Sequence, residues 1–278
     1  MSSKISVFGH TGFIGSHFLN KYPEKTIGIG RNENKSKTKK LLFLISTTSN
    51  YNVFDDIFLD VETNLIKLLK VLEENKDVED LEFNFISSWF VYGNQESLPT
   101  KEDSYCDPMG FYSITKRTAE QLLISFCKTH NINYRILRLC NVMGTGDSKA
   151  SSKKNAVQFM IGNLKRNETI RLYDEGSHIR DFLHVDDVCD AINMVLEKSN
   201  LNEIYNISSG EGTSIASIID YCIGKIDSKS KVEMIDTPEF HKIVQTKNMI
   251  LCNDKIKKLG FLPKYSIWNI IDELLEKE

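Results

Sequence analysis

The sequence predicts an α/β protein, a doubly wound parallel sheet with a smaller C-terminal lobe. Three observations predict it. Short apolar runs alternate with helical stretches along most of the chain. Those runs are apolar along their length, as strands covered on both faces must be. A glycine-rich turn joins the first run to the first helix. The 278 residues are long for one domain and short for two, which suits one main body plus an appended lobe.

The elements follow in order. "KISVF" (4–8) reads as a first strand, followed by the glycine turn and a helix to about Asn20. "TIGIG" (26–30) and "LLFLIST" (41–47) read as the second and third strands. Over 60–74, Leu65, Leu68, Leu69 and Leu72 fall at helical spacing. "LEFNFIS" (81–87) is a strand, 110–130 a long helix and "NYRILRL" (133–139) a further strand. After Cys140 the pattern loosens into the polar stretch 144–155, a helix over 156–166, and "IRLYD". An amphipathic helix over 184–199 and a late strand over 203–209 close the main body. The expected division is 1–142 with 177–209 as the main domain, and 143–176 with 210–278 as a substrate-binding lobe.

Apolar residues make up 41% and charged residues 26%, with a net charge of −3. That is the balance of a globular chain with no global reason to bind a nucleic acid polymer. The six cysteines are scattered, without metal-pair spacing, so no metal is expected and they read as reduced thiols. No stretch approaches the ~20 apolar residues of a membrane span. The apolar run at the N-terminus is too short for a signal peptide, so the expected compartment is the cytoplasm.

"GHTGFIG" places Gly9, Gly12 and Gly15 between a strand and a helix start. Glycine there lets the chain turn tightly and lets a pyrophosphate approach, and the first-turn residues Phe13 and Ile14 offer free N–H groups. The setting points to a Rossmann-like dinucleotide site. Where an acid would hold the ribose 2′-hydroxyl of NAD, the second strand ends in Arg31. A guanidinium there suits the 2′-phosphate of NADP and tips the expectation towards NADP over NAD. The alternative is a solvated arginine whose backbone alone meets the ribose.

Tyr112 and Lys116 stand four apart on one helix and share a face. A neighbouring ammonium favours phenolate, so a lowered Tyr112 pKa is expected, with proton exchange near neutral pH. Ser88, after the strand in "FISSWFVYG", can hold the same substrate oxygen. A lone Tyr-x-x-x-Lys pair is common by chance; its weight lies in joining the glycine turn and the serine in this order.

With "SSWFVYG", "YSITKRTAEQ", "LRLCNVMG" and "RDFLHVDDV", the chain resembles the extended short-chain dehydrogenase/reductase family of nucleotide-sugar epimerases, dehydratases and reductases, over nearly its whole length. The resemblance implies Ser88, Tyr112 and Lys116 as catalytic groups. It implies Asn64 on the preceding helix, together with Tyr112 and Lys116, on the cofactor side, and Asn141 and Asn155 towards substrate. Arg180 would grip a nucleoside diphosphate, for which its fork is well shaped; the alternative is an ion pair with Asp181 or Asp186.

Three departures follow. Only about ten residues join the second and third strands, too few for the usual helical crossover, so the sheet is expected to be short by one βα unit. Trp89 and Phe90 stand where the family's 4,6-dehydratases carry an Asp-Glu pair, which excludes dehydration. A second phosphate-binding arginine is missing from the last third, with His241, Lys242 or Lys247 as substitutes. The implied function is NAD(P)-dependent oxidoreduction at C4 of a nucleoside-diphosphate sugar, by reduction of a 4-keto sugar or by epimerisation. A non-catalytic dinucleotide sensor is the rival. Helices 61–74 and 111–130 are the expected homodimer face.

Overall fold

The computed structural model describes residues 4–148 and 150–276. Six parallel strands form one sheet: β1 (Ile5–Phe8), β2 (Thr26–Ile29), β3 (Lys40–Phe43), β4 (Glu82–Ser88), β5 (Asn133–Leu139) and β6 (Glu203–Ile207). Their order is β2-β1-β3-β4-β5-β6, with every pairing parallel. All six lie where the apolar runs predict. β3 stops at Phe43, short of the expected 47, because Ser46 and Thr47 bond Asn64 instead of a neighbouring strand.

Alternation along the strands splits the core in two. Ile5, Val7, Leu42 and Ile86 face the side covered by α1 (Phe13–Lys21) and α4 (Val185–Lys198). Phe8, Phe43, Phe83 and Phe85 face the opposite side, where α2 and α3 (Phe111–Thr129) pack. Helix α2 runs through Leu59–Val61, a π-turn at Glu62–Ile66, and Lys67–Asn75. A third apolar cluster, from Met143, Val157, Leu172, Phe182, Ile218 and Ile270 among others, forms a separate core. The stretch around Met249, Leu251, Ile256 and Phe261, expected in the smaller lobe, packs with the main body instead. Its apolar residues lack a period that would reveal their partner.

The short join is explained by the strand order. β2 is the edge strand, so residues 30–39 pass β1 to reach β3, two spacings or roughly 10 Å sideways. No helix forms in them. Instead α2 ties them down. Lys67 Nζ donates to the carbonyls of Arg31 and Glu33, each at 3.1 Å, and to Asn34 Oδ1 at 2.6 Å. Asn75 accepts from Ser36 N and donates to the Asn34 carbonyl, both at 2.7 Å.

Helix α3 is fixed by a buried ion pair. Glu120 and Arg138 of β5 are both at most 1% exposed, and two parallel bonds join them, Nε–Oε1 at 2.9 Å and Nη2–Oε2 at 2.7 Å. Burial works against the Glu120 charge, but the Arg138 guanidinium, with help from Ser87 and Arg117, holds its pKa below the usual carboxylate value. All six cysteines are free. Among the described residues no helix is long and apolar enough to cross a membrane.

Glu120→Gln strands the Arg138 charge in the core. Urea unfolding is expected to show a loss of about 3–5 kcal/mol, whereas Lys39→Gln, at an exposed pair with Asp80, leaves the midpoint in place.

Candidate active site

The glycine turn is closely fitted. Gly9 takes φ +83°, and a Cβ on Gly15 would stand 2.3 Å from the Gly9 carbonyl oxygen. Gly12 caps α1 without a side chain, and no acid occupies the first turn. The first-turn N–H groups of Phe13 and Ile14 are therefore left for an anion, next to the positive end of the helix. These residues fit a dinucleotide pyrophosphate.

At the end of β2, Arg31 is exposed. Sequence reasoning missed Glu33, whose Oε1 accepts from Gly30 N at 2.8 Å and whose Oε2 lies 3.1 Å from Lys37 Nζ. The Gly30 N–H first, then Lys37, lower its pKa. The signal was its distance from the turn, close to the ~20 residues at which a ribose-binding acid stands.

Tyr112 enters in the first turn of α3, where Gly110 is the cap and a Cβ would collide with Asn50 Oδ1 at 2.2 Å. Its phenol is buried, with the Ser88 and Ser46 hydroxyls in its surroundings. The expected lowering of its pKa is corrected here. Burial raises it, Asp60 raises it further, and the two serine hydroxyls only partly oppose them. Lys116 does not supply the missing stabilisation, because its Nζ donates to the Ile86 carbonyl at 2.6 Å and sits 4.1 Å over the Phe85 ring. Burial pushes the Lys116 pKa down to about 7, with Glu120 resisting. The structure thus brings Tyr112 and Ser88 together and holds Lys116 against the strand two residues before Ser88.

Asn64 has a different place from the one expected. Its Oδ1 accepts from Ser46 Oγ at 3.0 Å and Thr47 N at 2.9 Å; its Nδ2 donates to Thr47 Oγ1 at 2.8 Å and Thr115 Oγ1 at 2.9 Å. An amide has no further capacity, so Asn64 braces the end of β3 against α3 and has no bond left for a cofactor.

A cleft of about 700 Å³ opens over Tyr112. Trp89 and Phe90, stacked at 3.9 Å, form one side, and Phe90 meets the Tyr112 ring edge-on at 6.0 Å. Asn141 lines the cleft and donates to the Asp181 carbonyl at 2.9 Å. Asn155 lines it too, at φ +54°, with its amide donating to Val142 O and Asp147. Arg180 also lines the cleft, 5.4 Å over the Trp89 ring. Its guanidinium donates to the carbonyls of Ile179, Thr246 and Lys247. The alternative ion pairs are not formed: Asp181 accepts from Ser209, Gly210 and Leu251, and Asp186 neighbours His17. Among the described residues Arg180 has no carboxylate partner, and burial lowers its pKa to about 10. His241, Lys242 and Lys247 also line the cleft. His241 is engaged by the Tyr51 hydroxyl, and Lys242 by Glu239 at 2.6 Å.

A parallel nucleotide-binding sheet with a serine, tyrosine and lysine at the ends of β4 and α3 defines an NAD(P)-dependent enzyme of the short-chain dehydrogenase type. A profile of the NAD dependent epimerase/dehydratase family matches residues 49–208, and the chain belongs to that family. It is 26% identical to a putative UDP-glucose 4-epimerase of Methanocaldococcus jannaschii, over 95% of this chain and 94% of that one. It is 28% identical to the low-salt glycan biosynthesis protein Agl12 of Haloferax volcanii, over 74% of this chain but only 64% of that relative's length. The UDP-glucose 4-epimerase of Thermotoga maritima, solved with UDP-glucose, superposes with a TM-score of 0.87 at 25% identity, over 98% of this chain and 97% of that one.

Gly15→Ala must open the turn. Calorimetric titration with NAD(P) is expected to show binding weakened about tenfold or more, while Gly224→Ala, where a Cβ meets nothing within 4 Å, binds as the parent does.

Proposed function

We propose that this enzyme reduces the C4 ketone of a nucleoside-diphosphate hexose, using NADPH. One observation carries the reading: the buried phenol of Tyr112 opens on the same cleft as Arg180, a cation without a carboxylate partner among the described residues. The phenol is the form that donates to a carbonyl, and the guanidinium fits a diphosphate. The name of the Methanocaldococcus relative and the UDP-glucose in the Thermotoga structure support C4 and a nucleotide sugar.

In the proposed step Ser88 donates a hydrogen bond to the ketone oxygen and holds it at the phenol. Tyr112 releases its proton to that oxygen as the carbon becomes tetrahedral. A bound reduced nicotinamide supplies the hydride. Lys116, brought by burial to a pKa of about 7, would leave the Ile86 carbonyl to neutralise the phenolate left behind. Trp89 and Phe90 carry no proton and wall the sugar off from water. The preference for NADPH rests on Arg31, exposed at the end of β2, where a guanidinium suits a 2′-phosphate. The same groups run in reverse would oxidise a 4-hydroxyl, so epimerisation through the ketone is the second reading, favoured by the Methanocaldococcus relative's name.

Assembly is part of the proposal. Val61, Ile66 and Leu69 of α2 and Phe111 and Ile114 of α3 are exposed apolar side chains. A second copy packed on these two helices would cover them and make a homodimer.

With NADPH and a nucleoside-diphosphate 4-keto sugar, loss of nicotinamide absorbance is expected, and Tyr112→Phe should lower kcat about 10²–10⁴-fold with little change in KM. Conversion between C4 epimers without net cofactor consumption would select the second reading. No hydride exchange with any nucleotide sugar would leave the sensor. Light scattering at micromolar concentration is expected to give twice the 31.9 kDa chain mass, and Ile66→Glu with Ile114→Glu to return it to one chain.

A further inference from the structure

Trp89 and Phe90 take no part in the proton transfer above. They open the short 3-10 turn, Trp89–Tyr92, that follows β4. Phe90 N donates to Ser88 Oγ at 3.3 Å, so the ring is set two residues from the serine. Trp89 is only 3% exposed and belongs to the main core. Phe90 is half-buried, stacks on Trp89 at 3.9 Å and lines the cleft.

The two rings link the two groups on which the functional reading depends. The Arg180 guanidinium lies 5.4 Å over the Trp89 ring. The Tyr112 ring meets Phe90 at 6.0 Å, nearly perpendicular to it. Contact therefore runs without a break from Arg180 through Trp89 and Phe90 to Tyr112. A core tryptophan stacked beneath it keeps Phe90 from turning away.

A pyranose that carries a diphosphate on C1 and reacts at C4 uses opposite corners of its ring. A wall running from the diphosphate to the reacting oxygen lies along one of the two edges between those corners. The C2–C3 edge of a hexose carries two hydroxyls. The other edge holds the ring oxygen and C5, and its one hydroxyl is on C6. Aromatic side chains give a hydroxyl no hydrogen-bond partner, and burying it against them is disfavoured. The C5 edge fits such a wall, and it fits best when C6 is a methyl group, which gains by leaving water.

We propose that Phe90, backed by Trp89, is a specificity-determining residue that takes the C6 methyl of the sugar, so that the substrate is a nucleoside-diphosphate 4-keto-6-deoxyhexose. The inference rests on the reading that C4 reacts at Tyr112 with the diphosphate at Arg180. It assigns to the aromatic pair the choice between a methyl and a hydroxymethyl group on C5.

The test is calorimetric titration of the full chain, saturated with NADP, using UDP-6-deoxyglucose and UDP-glucose. The two probes share base, diphosphate and ring, and differ in one hydroxyl. The 6-deoxy sugar is expected to bind about tenfold more tightly. Phe90→Leu, still apolar, should keep most of that preference. Phe90→Asn, which offers the hydroxyl a partner, should bring the ratio to one or below, while UDP alone binds as to the parent. Equal binding of the two sugars by the parent overturns the proposal without recourse to any variant. So does a preference that Phe90→Asn leaves unchanged. Equal binding in a chain that reduces a 4-keto sugar overturns this inference alone. A Phe90-dependent preference in a chain that reduces no ketone supports the methyl site and overturns the functional reading instead.

Discussion

The bidentate pair between Glu120 and Arg138 sets the geometry on which the site depends. Tyr112, Lys116 and Glu120 recur at four-residue intervals on α3 and share one face. Once Glu120 is clamped to β5, the rotation and height of α3 against the sheet are fixed. Tyr112 then falls at the C-terminal end of β4, and Lys116 falls against Ile86 and Phe85. A buried ion pair is weak evidence of stability, since desolvation offsets much of its attraction. Its value here is directional: two parallel bonds admit one orientation, where apolar packing of Leu123 and Ala119 alone would tolerate a slide. Glu120 also opposes the fall in the Lys116 pKa, so the residue that places the helix also tunes the neighbouring amine.

The short join between β2 and β3 shows how a sheet can omit an edge unit. A helical crossover buries its own apolar face and satisfies its own backbone. Residues 30–39 do neither, and their polar groups are met by side chains of α2, with Lys67 taking two carbonyls and Asn75 bonding both a donor and an acceptor. The cost falls on Lys67, whose pKa is lowered by burial of its amine. Because the join hugs α2, the tip of β2 with Arg31 and Glu33 stays at the open edge of the sheet.

Much of this fold was legible in the sequence, because strands buried on both faces have to be apolar throughout. "LEFNFIS" can hardly be anything else, and it supplies Phe83 and Phe85 to one face and Ile86 to the other. The glycine turn was legible because only glycine escapes the collision between positions 15 and 9. What spacing could not reveal is environment. A spacing of four from Tyr112 to Lys116 guarantees a shared face, not a shared contact, and the lysine found a carbonyl instead of the phenol. Asn64 was recognisable as a special residue, but its four hydrogen bonds run to two separate segments, at Ser46–Thr47 and at Thr115. Met249 and Phe261 joined the main core through long-range packing that no local period encodes.

The cleft divides its labour by charge. On one wall Arg180 keeps its guanidinium among carbonyls, with no carboxylate to cancel it, and Lys247 lines the same side of the chain. Carbonyl dipoles orient the fork without discharging it, so the wall retains a field that an anion can use. The phenol of Tyr112 shares the cleft with the stacked rings of Trp89 and Phe90. A ligand with a charged end and an uncharged, oxygen-bearing end would match the two groups at once. Burial serves both ends at once. It leaves the cation poorly solvated and ready for a counter-charge, and it holds the phenol protonated beside the place where a carbonyl oxygen would gain electron density.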